Sequence, residues 1–189
     1  MLLRLSVGGR LAALVLSGLG GMALVLLTGI SGMRAGMYAE RTTGIRSVVE
    51  AVASQIEADG ARTVTGALDQ DAFLARAKAL IASTRFGGGD YVFMYGWDGT
   101  SLSDGGWPEI VGLNLVDTPD AQGYLFRRAI VEAAHAKGTG LVTYVFPRAG
   151  GTEPLRKHAY VHALPALGLI VTSGFYLDDL DDDFNRAVL

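Results

Sequence analysis

No cysteine occurs in the 189 residues. That excludes thiolate metal centres and cysteine nucleophiles, though it suits an oxidising or a reducing compartment equally. Basic charge is short as well. Sixteen Lys and Arg face nineteen Asp and Glu, a net of −3, and Arg4 and Arg10 at the extreme N-terminus leave the remainder more acidic still. A nucleic-acid partner, whose phosphates require a basic face, is therefore not expected. Catalytic signatures are also missing: there is no G-x-S-x-G elbow, no H-E-x-x-H, and no glycine loop carrying a phosphate-binding Lys-Ser/Thr. Histidine is scarce. His135 falls on a helical stretch and reads as surface, whereas His158 and His162 lie four apart on a strand, about 13 Å from each other, too far to share a metal. Neither enzyme, cofactor nor metal site is expected.

What is present begins with an apolar run. Between Arg10 and Arg34 stand 23 residues without a charge, LAALVLSGLGGMALVLLTGISGM. As a helix they extend roughly 34 Å, enough to cross a bilayer core. A cleaved signal peptide has a shorter apolar region and a small-residue cleavage site; this run has neither, so an uncleaved anchor over 11–33 is the reading. The positive flank of Arg4 and Arg10 keeps residues 1–10 as a cytoplasmic tip. Residues from about 35 onward then lie outside the inner membrane, in periplasmic or extracellular space.

Beyond the span, Ile45, Val48, Val49, Val52 and Ile56 form one apolar helical stripe that stops near Asp59-Gly60. The stripe suits burial against its own domain, or a homodimer seam along the long helix of residues 34–60. A second helix is predicted over 69–83. The period then changes to two in DYVFMYGWDGTSLS, two short strands around the Asp98-Gly99 turn. YLFRRAIVEAAHAKG is a helix closing at Gly138. GLVTYVF, KHAYVHA and LGLIVTSGFY are three further strands with no crossover helix between them, hence antiparallel neighbours. YLDDLDDDFNRAVL is an acidic terminal helix over 177–189. The result is an α+β domain over 61–176, with an antiparallel sheet of about five strands and helices on one side. The run Asp178, Asp179, Asp181, Asp182 and Asp183 lacks the spacing and glycine of a calcium loop and reads as a solvated helix start, favoured by the dipole.

RFGGGDYVF, residues 85–93, superficially resembles the glycine turn of diguanylate cyclases. An extra glycine is inserted, however, and Tyr91 occupies the position of the second metal-binding acid, so the glycines are a turn before a strand. On that strand Tyr91, Phe93 and Tyr95 share one face, opposite Val92 and Met94. Tyr144 and Phe146 share a face of the next long strand. Aromatic walls with hydroxyl groups suit a small-ligand pocket, and Arg85 or Lys157 could pair with an anion. The same tyrosines could equally cap a solid core.

RFGGGDYVFMYGWDGTSL, PEIVGLNLVD, the D-x-x-G at Asp120–Gly123, GTGLVTYVFPR, the K-x-x-Y-V at Lys157–Val161, and GFYLDD together resemble the single Cache type 2 sensor domain over roughly residues 35–185. The resemblance implies a PAS-like antiparallel sheet behind a long N-terminal helix. It also implies an extracytoplasmic sensor of a small organic anion such as acetate, pyruvate, propionate or lactate, serving chemotaxis or signal transduction. By position, the ligand-binding residues it implies are Arg85, Tyr91, Phe93, Tyr95, Tyr144 and Lys157. Tyr160 has the opposite strand parity to Lys157 and is excluded. The chain departs from the family pattern near Asp104, where a histidine is usual, at Phe146, Leu167 and Leu169, where tryptophans are usual, and at Thr172, where glycine is usual. These departures leave a second expectation open, a ligand-free dimerisation or interaction module on the same scaffold.

Overall fold

The computed structural model describes residues 7–188; most of the expected cytoplasmic tip, Arg4 included, lies outside that range. The first helix, α1, is continuous from Val7 to Val64 and contains all of 11–33, where the side chains of residues 12, 13, 26, 27 and 30 are outside the described set. Among the described residues, no helix is long and apolar enough to cross a membrane. Contrary to the sequence expectation, α1 does not stop at Gly60. A Cβ there would meet Leu167 Cδ2 at 2.6 Å, so this glycine permits close approach rather than termination. The helix ends just before Gly66, whose φ of 72° supplies the left-handed turn.

Helix α2 (Gln70–Ser83) starts where Asp69 accepts a hydrogen bond from the Ala72 amide, an N-cap. The strands follow: β1 (Arg85–Phe86), β2 (Asp90–Gly96) and β3 (Ser101–Asp104). Helix α3 (Phe126–Lys137) closes on Gly138 at φ 72°. Strands β4 (Thr139–Pro147), β5 (Pro154–Leu164) and β6 (Leu169–Tyr176) lead into α4 (Leu177–Val188). Within the described residues the antiparallel sheet has six strands in the order β1-β2-β6-β5-β4, with β3 also paired to β2. The strand beyond the expected five is β1, two residues long and too short to leave a period in the sequence.

The two faces of the sheet have separate cores. Val92, Met94, Val171 and Phe175 pack with Ile45, Val49 and Ile56 of α1 and with Phe73 and Ile81 of α2. The opposite face, bearing Tyr91, Phe93, Tyr95 and Tyr144, packs with Phe126, Ile130 and Ala134 of α3. The expectation of helices on one side is thus corrected. A sheet apolar on both faces must be covered on both, and helical periodicity does not reveal which side a helix takes.

The acidic run opens α4 as expected, with Asp178 and Asp179 in its first turn. Three of its partly exposed carboxylates also form ion pairs that the sequence did not foretell: Asp181 with Arg34 of α1 and Arg156 of β5, Asp183 with Arg41 of α1, and Asp179 with Arg148. These contacts fasten α4 along α1 and the sheet.

Candidate ligand-binding site

The site is built where strand alternation turns large side chains toward α3. β2 supplies Tyr91, Phe93 and Tyr95 in successive inward positions. Lys157 of β5 lies opposite Tyr144 of β4 on one side and Tyr176 of β6 on the other. The structure therefore brings together five of the six residues singled out in the sequence, each at most 4% exposed. Arg85 stands apart. It is exposed, and its guanidinium donates to the carbonyls of Ala82, Thr84 and Gly105. The glycines after it form the turn between β1 and β2, with positive φ at Gly87 and Gly89.

Lys157 dominates the electrostatics. At 1% exposure its Nζ lies 3.9 Å from the centroid of the Tyr91 ring, 5.0 Å from Tyr176 and 5.5 Å from Phe93. Three ring faces give it cation–π attraction, yet among the described residues it makes no hydrogen bond. Desolvation lowers its pKa to about 8, against the pull of Asp104 and Asp90. Burial also raises the hydroxyls: Tyr95 and Tyr176 are each pushed up to about 12, and Tyr91 and Tyr144 are raised as well. All four remain protonated donors at neutral pH.

Several residues of this face were not singled out as ligand contacts in the sequence. Arg127 of α3 is 5% exposed, with its Cζ 4.3 Å from the Phe126 ring and 5.5 Å from Phe146. Phe126 in turn stacks on Tyr144 at 4.1 Å. Asp104 at the end of β3 is buried, and its Oδ1 accepts from the Gly106 and Trp107 amides, 2.8 Å each. Burial raises its pKa. Its loop lies flat on the tyrosine because Gly106 has no side chain; a Cβ there would meet the Tyr91 ring at 2.4 Å. Trp107 packs edge-on to Phe146 at 5.4 Å. Three buried polar atoms here lack a protein partner: Trp107 Nε1, Arg127 Nε and Thr172 Oγ1. Thr172 sits in register with Phe93 and Val161. The one available sequence signal was Arg127, which falls at i, i+3, i+7 with Ile130 and Ala134, a charge on the buried stripe of an amphipathic helix.

Together, Lys157, Arg127 and Asp104 place two buried cations against one buried carboxylate. The surrounding hydroxyls, the indole N–H and the guanidinium Nε can all donate. Chemically, such a set is suited to a small anion with one negative charge and two acceptor oxygens; it holds no nucleophile paired with a base.

On the other face, His158, next to Lys157 in β5, shares hydrogen bonds with the Tyr38 hydroxyl of α1 and with Thr143 Oγ1, 2.7 Å each. Tyr160 likewise turns away from the site and donates to Glu50 of α1 at 3.0 Å.

The chain is similar to methyl-accepting chemotaxis protein McpP of Pseudomonas putida, 24% identical over 152 residues; the match covers 80% of this chain but only 28% of that protein. Among solved structures, a periplasmic sensor domain of a chemotaxis protein superposes with a TM-score of 0.72 at 29% identity, covering 74% of this chain and 97% of the other. A Cache chemosensory domain described for its carboxylic acid recognition superposes at 0.70 with 23% identity, covering 74% and 95%. A methyl-accepting chemotaxis protein from Vibrio parahaemolyticus follows at 0.64 and 18%, covering 80% and 98%; these last two show the shared fold. The family model for single Cache domain 2 matches residues 37–189. On that match, the chain belongs to the single Cache domain 2 family.

Proposed function

We propose that this protein is a membrane-anchored, extracytoplasmic sensor that binds a small carboxylate of the acetate, pyruvate, propionate or lactate class. The observation that carries the reading is the buried Lys157 ammonium, walled by aromatic rings and, among the described residues, without an ion-pair partner. A ligand carboxylate accepts from Lys157, with Tyr91, Tyr95, Tyr144 and Arg127 available as further donors and Phe93 as an apolar wall. The solved Cache domain noted for carboxylic acid recognition supports the ligand class. For the anchor, support comes from residues 11–33. They are helical, and Leu11, Leu14, Val15, Leu16, Leu19, Leu24 and Val25 project around the whole circumference, each at least 55% exposed. A helix apolar on every side calls for an apolar surround. α1 is also the surface on which a second copy would pair.

Signal transfer follows from strand parity. A ligand that draws on Lys157 moves β5, and the next residue, His158, is hydrogen-bonded to α1 through Tyr38. One charge-assisted contact is worth about 1.5–3 kcal/mol, which biases a two-state element by roughly tenfold to a hundredfold.

Calorimetry on residues 35–189 with a panel of short carboxylates tests the reading. Binding by the wild type, lost in Lys157→Ala and kept in the exposed-lysine control Lys137→Ala, is the expected result. No heat with any acid argues against it. The second reading, a ligand-free interaction module, is favoured by the closed packing around Lys157. Thermal shift separates the two, because a true ligand raises the midpoint with concentration relative to its Kd.

A further inference from the structure

We propose that Thr172 is a specificity-determining residue of the site around Lys157, where its hydroxyl selects carboxylates bearing an oxygen on C2 over unsubstituted acids of the same length. The inference rests on the carboxylate reading and narrows it. Thr172 is fully buried, yet its Oγ1 has no protein partner. An unpaired hydroxyl in the interior destabilises a strand, whereas valine fills the same place without that penalty. Strand parity turns the side chain to the tyrosine face: Ile170, two residues before it, packs there, and Val171 packs on the other face.

Three rungs between β5 and β6 separate charge from hydroxyl. Lys157 stands opposite Tyr176, Ala159 opposite Gly174, and Val161 opposite Thr172. The middle rung carries one methyl group and no other side chain, so the floor of the face is bare there. Lys157 leans along it, with Nζ 3.9 Å from the Tyr91 ring and 5.5 Å from the Phe93 ring. Phe93 is the cross-strand neighbour of Thr172. A carboxylate held by the ammonium therefore directs its C2 substituent over the bare rung toward Thr172. There the hydroxyl donates to a 2-oxo oxygen or exchanges a hydrogen bond with a 2-hydroxyl. An acid without that oxygen leaves Oγ1 unpaired, and a site so built rejects the analogue that lacks it. A second carboxylate does not suit the same place. Phe93 has Asp104, itself buried, as its neighbour on the other side, so a further negative charge meets one already present.

Calorimetry on the full chain in detergent micelles, with lactate, pyruvate, propionate and malonate as probes, tests the assignment. Lactate and pyruvate are expected to bind about tenfold more tightly than propionate, the equivalent of one hydrogen bond, and malonate no more tightly than propionate. Thr172→Val brings the three monocarboxylates to parity by weakening lactate and pyruvate alone. It also raises the unliganded thermal midpoint, because a buried hydroxyl without a partner is gone. Thr172→Ser keeps most of the preference. Equal affinities in the wild type overturn the role of Thr172 while leaving the carboxylate reading in place. So does a preference that survives Thr172→Val, which passes the role to the unpartnered Arg127 Nε or Trp107 Nε1. Tighter malonate, a lowered midpoint in Thr172→Val, or an equal loss of all three monocarboxylates in that variant overturns it as well. No binding of any of the four acids overturns the carboxylate reading and this inference together.

Discussion

Lys157 costs the fold stability, and the sign of that cost is open to measurement. Its folded pKa, about 8, lies below the unfolded value of 10.5. Between those limits the unfolded chain holds more protons, so stability climbs as pH rises from about 8 to 10.5; below 8 the full penalty, about 3 kcal/mol, is present. Denaturation midpoints of wild type minus Lys157→Met across pH 7–11 isolate this contribution from the tyrosines. Lys157→Met itself should be more stable at pH 7 by about 1–3 kcal/mol, since it replaces an unpaired buried charge with an apolar chain, while losing all stabilisation by carboxylates. A variant both less stable and still ligand-responsive would sever the residue from the site. Binding carries the same signature. On the proposed reading a carboxylate would hold the ammonium charged, so affinity should be flat between the ligand's own carboxyl range and pH 8 and decline above it, with calorimetric heats in that range depending on the ionisation enthalpy of the buffer. Unliganded, the sheet tolerates a misfit residue, which is the expected mark of a functional position.

At the level of elements, the strands were the most readable part. Period-two alternation placed Tyr91, Phe93 and Tyr95 opposite Val92 and Met94, and separated Lys157 from Tyr160, because a pleated strand leaves little freedom in which face a residue takes. The helices were readable in extent but not in placement. α3 was bounded by Gly138, yet its side of the sheet was not visible; Arg127, on one stripe with Ile130 and Ala134, signals burial, but which face of the sheet it meets is not written in that spacing. Asp104, Trp107 and Thr172 come to the site through loop path and register, which carry no period. Register also explains Gly174, one residue after the buried Ser173. A Cβ there would meet the His158 carbonyl oxygen at 2.6 Å and Ala159 Cα at 2.9 Å. Backbone cannot swing aside as a side-chain end can, so Gly174→Ala should destabilise by about 2–3 kcal/mol. It should also weaken carboxylate binding through the displaced Lys157 strand, while a substitution at the exposed Gly88, where a Cβ meets nothing within 4 Å, leaves both unchanged. Urea titration and calorimetry on the two variants check this.

Across the whole molecule, the tyrosine-lined face of the sheet and helices α1 and α4 meet through β5, which carries Lys157 toward the candidate site, His158 toward α1 and Arg156 toward α4. The α4 end of this linkage joins the buried Leu180 to a set of exposed ion pairs: Arg34, Arg41, Arg148 and Arg156 against Asp179, Asp181 and Asp183. Individually, exposed pairs contribute about 0–1 kcal/mol, too little to hold the core but enough, acting together, to set how long a twelve-residue helix stays docked. Salt and acid should therefore act on α4 selectively. Screening shortens from about 10 Å at 0.1 M to about 3 Å at 1 M ionic strength. The pKa of Asp183 is lowered by its bond to Arg41, so its contribution is present above the ordinary aspartate range, near pH 4, and is lost as pH falls through the depressed value. Hydrogen exchange is expected to show faster opening of residues 177–188 at 1 M salt or below pH 4, with β5 and β6 still protected. Unchanged exchange in α4 would assign its docking to Leu177 and Leu180 instead. In that case motion in β5 would reach α1 through the His158–Tyr38 and Tyr160–Glu50 hydrogen bonds. Tyr38→Phe, which removes the first at the cost of one hydroxyl, should then weaken the coupling of α1 to a carboxylate on the proposed reading, with Tyr160→Phe in the same chain weakening it further.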